Sequence, residues 1–205
     1  MLVIITLDLV FVHVGEAMRL RTRTWNMLAA AMLLIAASDA VAQTAKIGKN
    51  PIQRGEYLSI VGGCNDCHSP KLMTPNGPAT DPARILSGHP ATERLPSVPP
   101  GVLGPGKWMA MTNDGLTAWV GPWGISFAAN LTPDDETGIG RWTVHQFIQT
   151  MRTGKHLGVG RPVLPPMSTA GLAVMTDADL KALFSYLKSL QPVKNQVPAP
   201  IPPGP

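Results

Sequence analysis

The sequence predicts an all-α fold, a small helical domain interrupted by a long irregular insertion containing Pro, Gly and Trp. Three observations predict it. Three segments, near 51–62, 144–153 and 177–190, carry helix caps, and the last two also repeat apolar residues at helical spacing. Between the first and second of these, from Pro70 to Lys107, nine prolines fall where no apolar period can be traced. Across the 205-residue chain, 20 Gly and 21 Pro exceed the usual combined share of about 12%. That composition argues against a coiled coil, a helical repeat array and a large parallel α/β enzyme. Charged residues are 15%, the net charge is +4, and the body holds no Lys/Arg-dense run, so a nucleic-acid binder is disfavoured. No apolar run reaches the ~18–20 residues needed to span a bilayer, so no stable membrane span is expected.

The N-terminal element reads as a secretory signal peptide ending at residue 42. Arg19, Arg21 and Arg23 form a basic region ahead of the apolar run Met27 to Ala37, and Ala40-Val41-Ala42 supplies an A-x-A cleavage pattern. Residues 1–17 contain Asp8, His13 and Glu16 and precede the basic cluster. They read as a mis-assigned start, with translation beginning at Met18; the alternative is a long signal or an uncleaved anchor. Cleavage removes three basic and three acidic residues, leaves the charge at +4 and retains both cysteines. The expected destination is the periplasm, an oxidising compartment in which two thiols would pair or be capped.

The first helix is expected from Pro51 to Gly62, with Asn50 as its cap, Pro51 at the first helical position and Gln53 reaching back. The second runs from Val144 to Thr153. Thr143 and Gln146 have capping-box spacing, Val144, Phe147, Ile148 and Met151 share one face, and Gly154 stops it. Thr176 caps the third helix, Asp177 and Asp179 sit in its first turn, Leu180, Leu183, Phe184, Leu187 and Leu190 form its buried stripe, and Pro192 ends it. The resulting division is a leader at 1–42, a domain at 43–191 with an insertion at about 70–129, and a Pro-rich tail at 192–205. The insertion, with Trp108, Trp119 and Trp123, is expected to be ordered; the tail is expected to be extended and solvated.

Both cysteines lie in Cys64-Asn65-Asp66-Cys67-His68. C-x-x-C-H is the covalent c-type haem attachment pattern. Thiols three residues apart on a helical turn can reach the two vinyl groups of one haem, and the adjoining His68 can become an axial iron ligand. A thioredoxin-type site would need a βαβ context, and a zinc site would need a second ligand pair; neither is present in the sequence. One motif implies one covalently bound haem c. For the second axial position the candidates are Met73, Met109, Met111, Met151, Met167, Met175, His89, His145 and His156. Met167 is the best of them, because Leu164-Pro165-Pro166 makes a stiff, extended approach with little freedom left to lose. Asp134, Asp135 and Glu136 lack the spacing of a Ca²⁺ loop and read as a solvated turn.

The order helix, C-x-x-C-H, loop, helix, Met loop, final helix resembles a bacterial periplasmic monohaem cytochrome c. The blocks Asn130-Leu131-Thr132-Pro133, Thr137-Gly138-Ile139-Gly140-Arg141-Trp142-Thr143, Arg152-Thr153-Gly154-Lys155-His156 and Leu164-Pro165-Pro166-Met167 are similar to those of cytochrome c subunits serving dehydrogenases. The resemblance spans about Gln53 to Pro198. It implies a cytochrome c-like domain in which Cys64 and Cys67 anchor the haem and His68 and Met167 are axial ligands. It further implies that Gly55 and Tyr57 cross Leu183 and Tyr186, that the Pro78 carbonyl meets the other nitrogen of His68, and that Trp142 and Arg161 contact haem propionates. The chain departs from that pattern at Met167-Ser168, where Met-Pro is common. The function so implied is one-electron transfer, not catalysis, with a dehydrogenase or oxidase as redox partner. The alternative is a gas- or peroxide-reactive haem sensor or enzyme with a labile distal ligand.

Overall fold

The structure is a computed structural model and describes residues 50–203. The expected leader and start site lie outside the described residues. Helix α1 spans Pro51–Val61. The Asn50 side chain accepts from the Ile52 amide at 2.9 Å and, at 3.5 Å, from that of Gln53. A left-handed Gly63 then turns the chain into α2, Cys64–His68.

The insertion corrects the all-α expectation. A hairpin pairs β1, Lys71–Thr74, with β2, Gly77–Thr80. A second antiparallel sheet contains β3, Met111–Thr112, β4, Ala118–Gly121, and β5, Gly124–Phe127, in that order. These strands have two to four residues and sit between Pro/Gly turns such as Gly121-Pro122-Trp123-Gly124. Their alternation is too short to stand out as a period, which is why the insertion reads as irregular. The fold is therefore helical with two small sheets, both built from the insertion.

Helix α3, Val144–Thr153, has a complete capping box between Thr143 and Gln146 and ends on a left-handed Gly154. The short α4, Thr169–Ala173, precedes α5, Asp177–Ser189, which is capped by Thr176. The core joins Phe147 and Met151 of α3 to Leu180, Leu183, Phe184 and Leu187 of α5, with Leu86 and Ile139 from the loops. Phe147 and Phe184 meet with ring centroids 5.2 Å apart. Leu86 is fully buried and holds a positive φ of 56°. A branched side chain adopts that backbone only when its surroundings over-determine it. Here burial in the core does so, which pins the insertion to the helical body.

Helices α1 and α5 cross at Gly55. A Cβ there would lie 2.1 Å from the Ala182 carbonyl oxygen and 2.7 Å from Tyr186 Cβ, so only glycine allows this approach. Tyr57, expected at the crossing, is instead half exposed, with the Arg54 guanidinium 5.5 Å from its ring centre. Arg54 also donates to Asp179 at 2.9 Å, tying α1 to the start of α5. The tail is extended but docked rather than simply solvated. Ile201 and Ile125 exchange backbone hydrogen bonds of 2.8 and 3.0 Å along the edge of β5. Lys194 pairs with Glu136 at 2.6 Å.

Candidate functional site

The site begins at α2, whose single turn carries Cys64, Cys67 and His68. Both cysteines are free thiols and partly buried. Cys64 packs against the helical core. Burial raises the thiol pKa of both; at Cys67 the neighbouring Asp66 adds to the rise. His68 is 8% exposed. Its Nδ1 lies 2.8 Å from the Ala129 carbonyl, which accepts its proton. Burial lowers the His68 pKa, with the Ala129 carbonyl opposing it, and so favours the neutral imidazole that a metal requires. With Nδ1 so engaged, Nε2 carries the lone pair. Two free thiols and a neutral, oriented imidazole on one turn are the donor set that a covalent c-type haem needs, so these residues fit that group. Among the described residues, no three His, Cys, Asp or Glu side chains gather to hold a metal ion, so nothing completes a zinc site around Cys64 and Cys67.

The carbonyl that meets His68 is that of Ala129, not Pro78. Pro78 is exposed in β2 and pairs across the hairpin with Met73. The hairpin carries Pro78 outward, while the chain returning from β5 brings Ala129 back to α2. Ala129 was not foreseeable, because a backbone acceptor has no residue-type signal. Its neighbour Asn130 did stand in a recognisable block, and its amide donates to Val193 O at 2.8 Å and Thr137 Oγ1 at 3.1 Å.

Trp142 and Arg161 both touch a third residue, His156. The Trp142 and His156 rings meet edge to face with centroids 5.1 Å apart. The His156 amide donates to the Arg161 carbonyl at 2.9 Å. Burial, then the Arg161 charge, lowers the His156 pKa. Met167 is half-buried in the loop leading to α4. Two residues before it, the Pro165 carbonyl accepts from Ser126 Oγ of β5, and Trp123 Nε1 donates to the same Oγ at 3.2 Å. The insertion's sheet therefore braces the approach to Met167. Of the other ligand candidates, Met151 is core filling, and Met73 and Met109 are exposed. His89 is fully buried, with Nδ1 2.9 Å from Thr117 Oγ1 and its ring tilted against Phe127. The acidic cluster is a turn in which Asp134 Oδ1 accepts from the Thr137 amide at 2.7 Å and the Thr137 hydroxyl at 2.6 Å.

No family model matches the chain. Curated relatives do. A subunit of the nicotinate dehydrogenase of Pseudomonas putida is 40% identical over 87 residues, 42% of this chain and 7% of that protein. The gluconate 2-dehydrogenase cytochrome c subunit of Pantoea cypripedii is 30% identical over 135 residues, 66% of this chain and 22% of that protein. The alcohol dehydrogenase (quinone) cytochrome c subunit of Gluconobacter oxydans is 27% identical over 174 residues, 84% of this chain and 28% of that protein. The chain spans less than a third of the length of each of these relatives. The C-x-x-C-H turn and these relatives together make the chain similar to the cytochrome c subunits of dehydrogenases.

Proposed function

We propose that this protein carries single electrons through one covalently attached haem c, held by thioethers to Cys64 and Cys67, with His68 and Met167 as axial ligands. The observation that carries this reading is the α2 turn, where two free thiols precede a His68 whose Nδ1 is committed to Ala129. A bound haem would supply reversible one-electron chemistry at its iron. The chain's own residues do the rest. Cys64 and Cys67 would fix the group to α2. The Ala129 carbonyl orients the His68 ring and strengthens it as a donor. The Ser126 hydroxyl holds the Pro165 carbonyl and so limits the travel of Met167. Trp142 and Arg161 would contact the propionates of that haem; what supports this is that both touch His156, Trp142 by its ring and Arg161 by its carbonyl. With both His68 and Met167 holding the iron, the bound group would offer no open place to a substrate, which favours a shuttle over an enzyme.

The protein is exported to the periplasm by its leader, and its partners are redox proteins, foremost a dehydrogenase, with an oxidase as the alternative. The leader pattern and the names of the relatives support this. Among the described residues, no helix is long and apolar enough to cross a membrane. The test is absorption of the haem-loaded protein, oxidised and reduced, with and without carbon monoxide, beside Met167→Ala. The wild type should show the far-red sulfur-to-iron band and ignore carbon monoxide, and the variant should reverse both. A wild type that binds carbon monoxide readily and lacks that band overturns the Met167 assignment and favours a ligand-reactive role.

A further inference from the structure

We infer that Asn195, in the C-terminal tail, is a positioning residue for His68, holding in place the backbone that presents the Ala129 carbonyl to its Nδ1. The inference rests on the reading of His68 as an iron ligand. The Ala129 carbonyl is 2.8 Å from His68 Nδ1, but its own place is set by the segment 86–89 running beside 128–131. The His89 amide donates to Ala128 O at 2.9 Å, and the Leu131 amide donates to Leu86 O at 2.8 Å. The approach needs Gly88, where a Cβ would lie 2.6 Å from Ala128 O and from the Ala129 carbonyl carbon. The same glycine donates its amide to His68 O at 2.7 Å. So this pair of segments holds His68 at both its ring and its backbone.

One side chain closes the other side of segment 86–91. Asn195 Nδ2 donates to Ser87 O at 2.7 Å and to His89 O at 2.9 Å, and its Oδ1 accepts from the Ala91 amide at 3.0 Å. The Asn195 amide donates to Thr137 Oγ1 at 3.0 Å, and Asn130, the residue after Ala129, donates to Val193 O. The tail is thereby joined to both segments that hold His68. No other side chain could replace this set on the same stem, because it uses two donors and one acceptor of a short amide. A firm acceptor at Nδ1 makes the imidazole a stronger donor, which favours ferric iron and keeps the potential down.

The test compares haem-loaded wild type, Asn195→Ala and Ile201→Ala. Ile201 shares the tail, is half exposed and meets β5 through its backbone, so its side-chain variant alters the tail while leaving both the backbone pairing and the Asn195 amide contacts in place. Two readouts decide: the reduction potential, and the hydrogen-exchange rate of the His68 Nδ1–H in the ferrous protein by NMR. Removing three hydrogen bonds should speed exchange by roughly tenfold or more. Asn195→Ala should also raise the potential, while Ile201→Ala matches wild type in both. Unchanged exchange and potential in Asn195→Ala, or equal changes in both variants, would overturn the assignment. If Asn195→Ala does not accumulate, Asn195→Thr, which keeps one hydroxyl in place of the amide, carries the same comparison with a smaller change expected. Failure of the haem reading shows elsewhere, as a wild-type chain that retains no haem after denaturation, and it would remove the inference with it.

Discussion

The residues that decide this fold act at contact distance. Gly55 is the sharpest case, since any side chain there meets the Ala182 carbonyl. Gly55→Ala should lower stability by about 1–3 kcal/mol through overpacking, read as a lower denaturant midpoint with an unchanged slope. Asp179 is a gentler case. The Arg54 guanidinium that hydrogen-bonds to it holds its carboxyl below the usual carboxylate range. A depressed folded value means that its contribution is complete above the unfolded value of about 4 and is lost as pH falls through the folded one. Asp179→Asn should therefore melt below wild type at pH 7, and the gap should close on acidification below pH 4. Melting curves at both pH values check this. At this scale Cys64, Cys67 and His68 were legible because the attachment pattern is contiguous. Ala129 was not, because any residue offers a carbonyl.

At the level of elements, the helices were readable and the strands were not. Helix α3 shows why: Thr143, Gln146 and Gly154 state its ends locally, and the apolar face lies between them. Thr143→Ala should cost about 1 kcal/mol, measured by chemical denaturation. The insertion carries no such local statement. Its four-residue strands depend on pairing, and Leu86 anchors it through a core that is formed mostly by α3 and α5. The insertion also has a task beyond packing, since Ser126 of β5 holds the loop before Met167. Ser126→Ala should leave haem attachment intact but free that loop. We expect faster carbon monoxide binding to the reduced protein, seen by stopped-flow absorption, and wild-type rates would remove the bracing role.

For the whole molecule, the tail was the least legible part. A Pro-rich run without apolar period reads as solvated, yet Asn195 reaches back 104 to 108 residues to the segment beside His68. Contacts that distant have no signature in a single sequence, because both partners are polar groups of ordinary type. The chain thus closes on itself: α1 delivers the attachment turn, the insertion returns Ala129 to it, and the tail ties the return in place. This arrangement explains how a domain with so much Pro and Gly holds a defined site. The central claim is that the Cys64–His68 turn carries one covalent haem. The most direct measurement is the intact mass and visible spectrum of exported protein after denaturation and acid–acetone extraction, beside the Cys64→Ser/Cys67→Ser double variant. The account predicts one haem retained per wild-type chain and none in the variant. A wild type that loses its haem, or a variant that keeps it, would contradict the account.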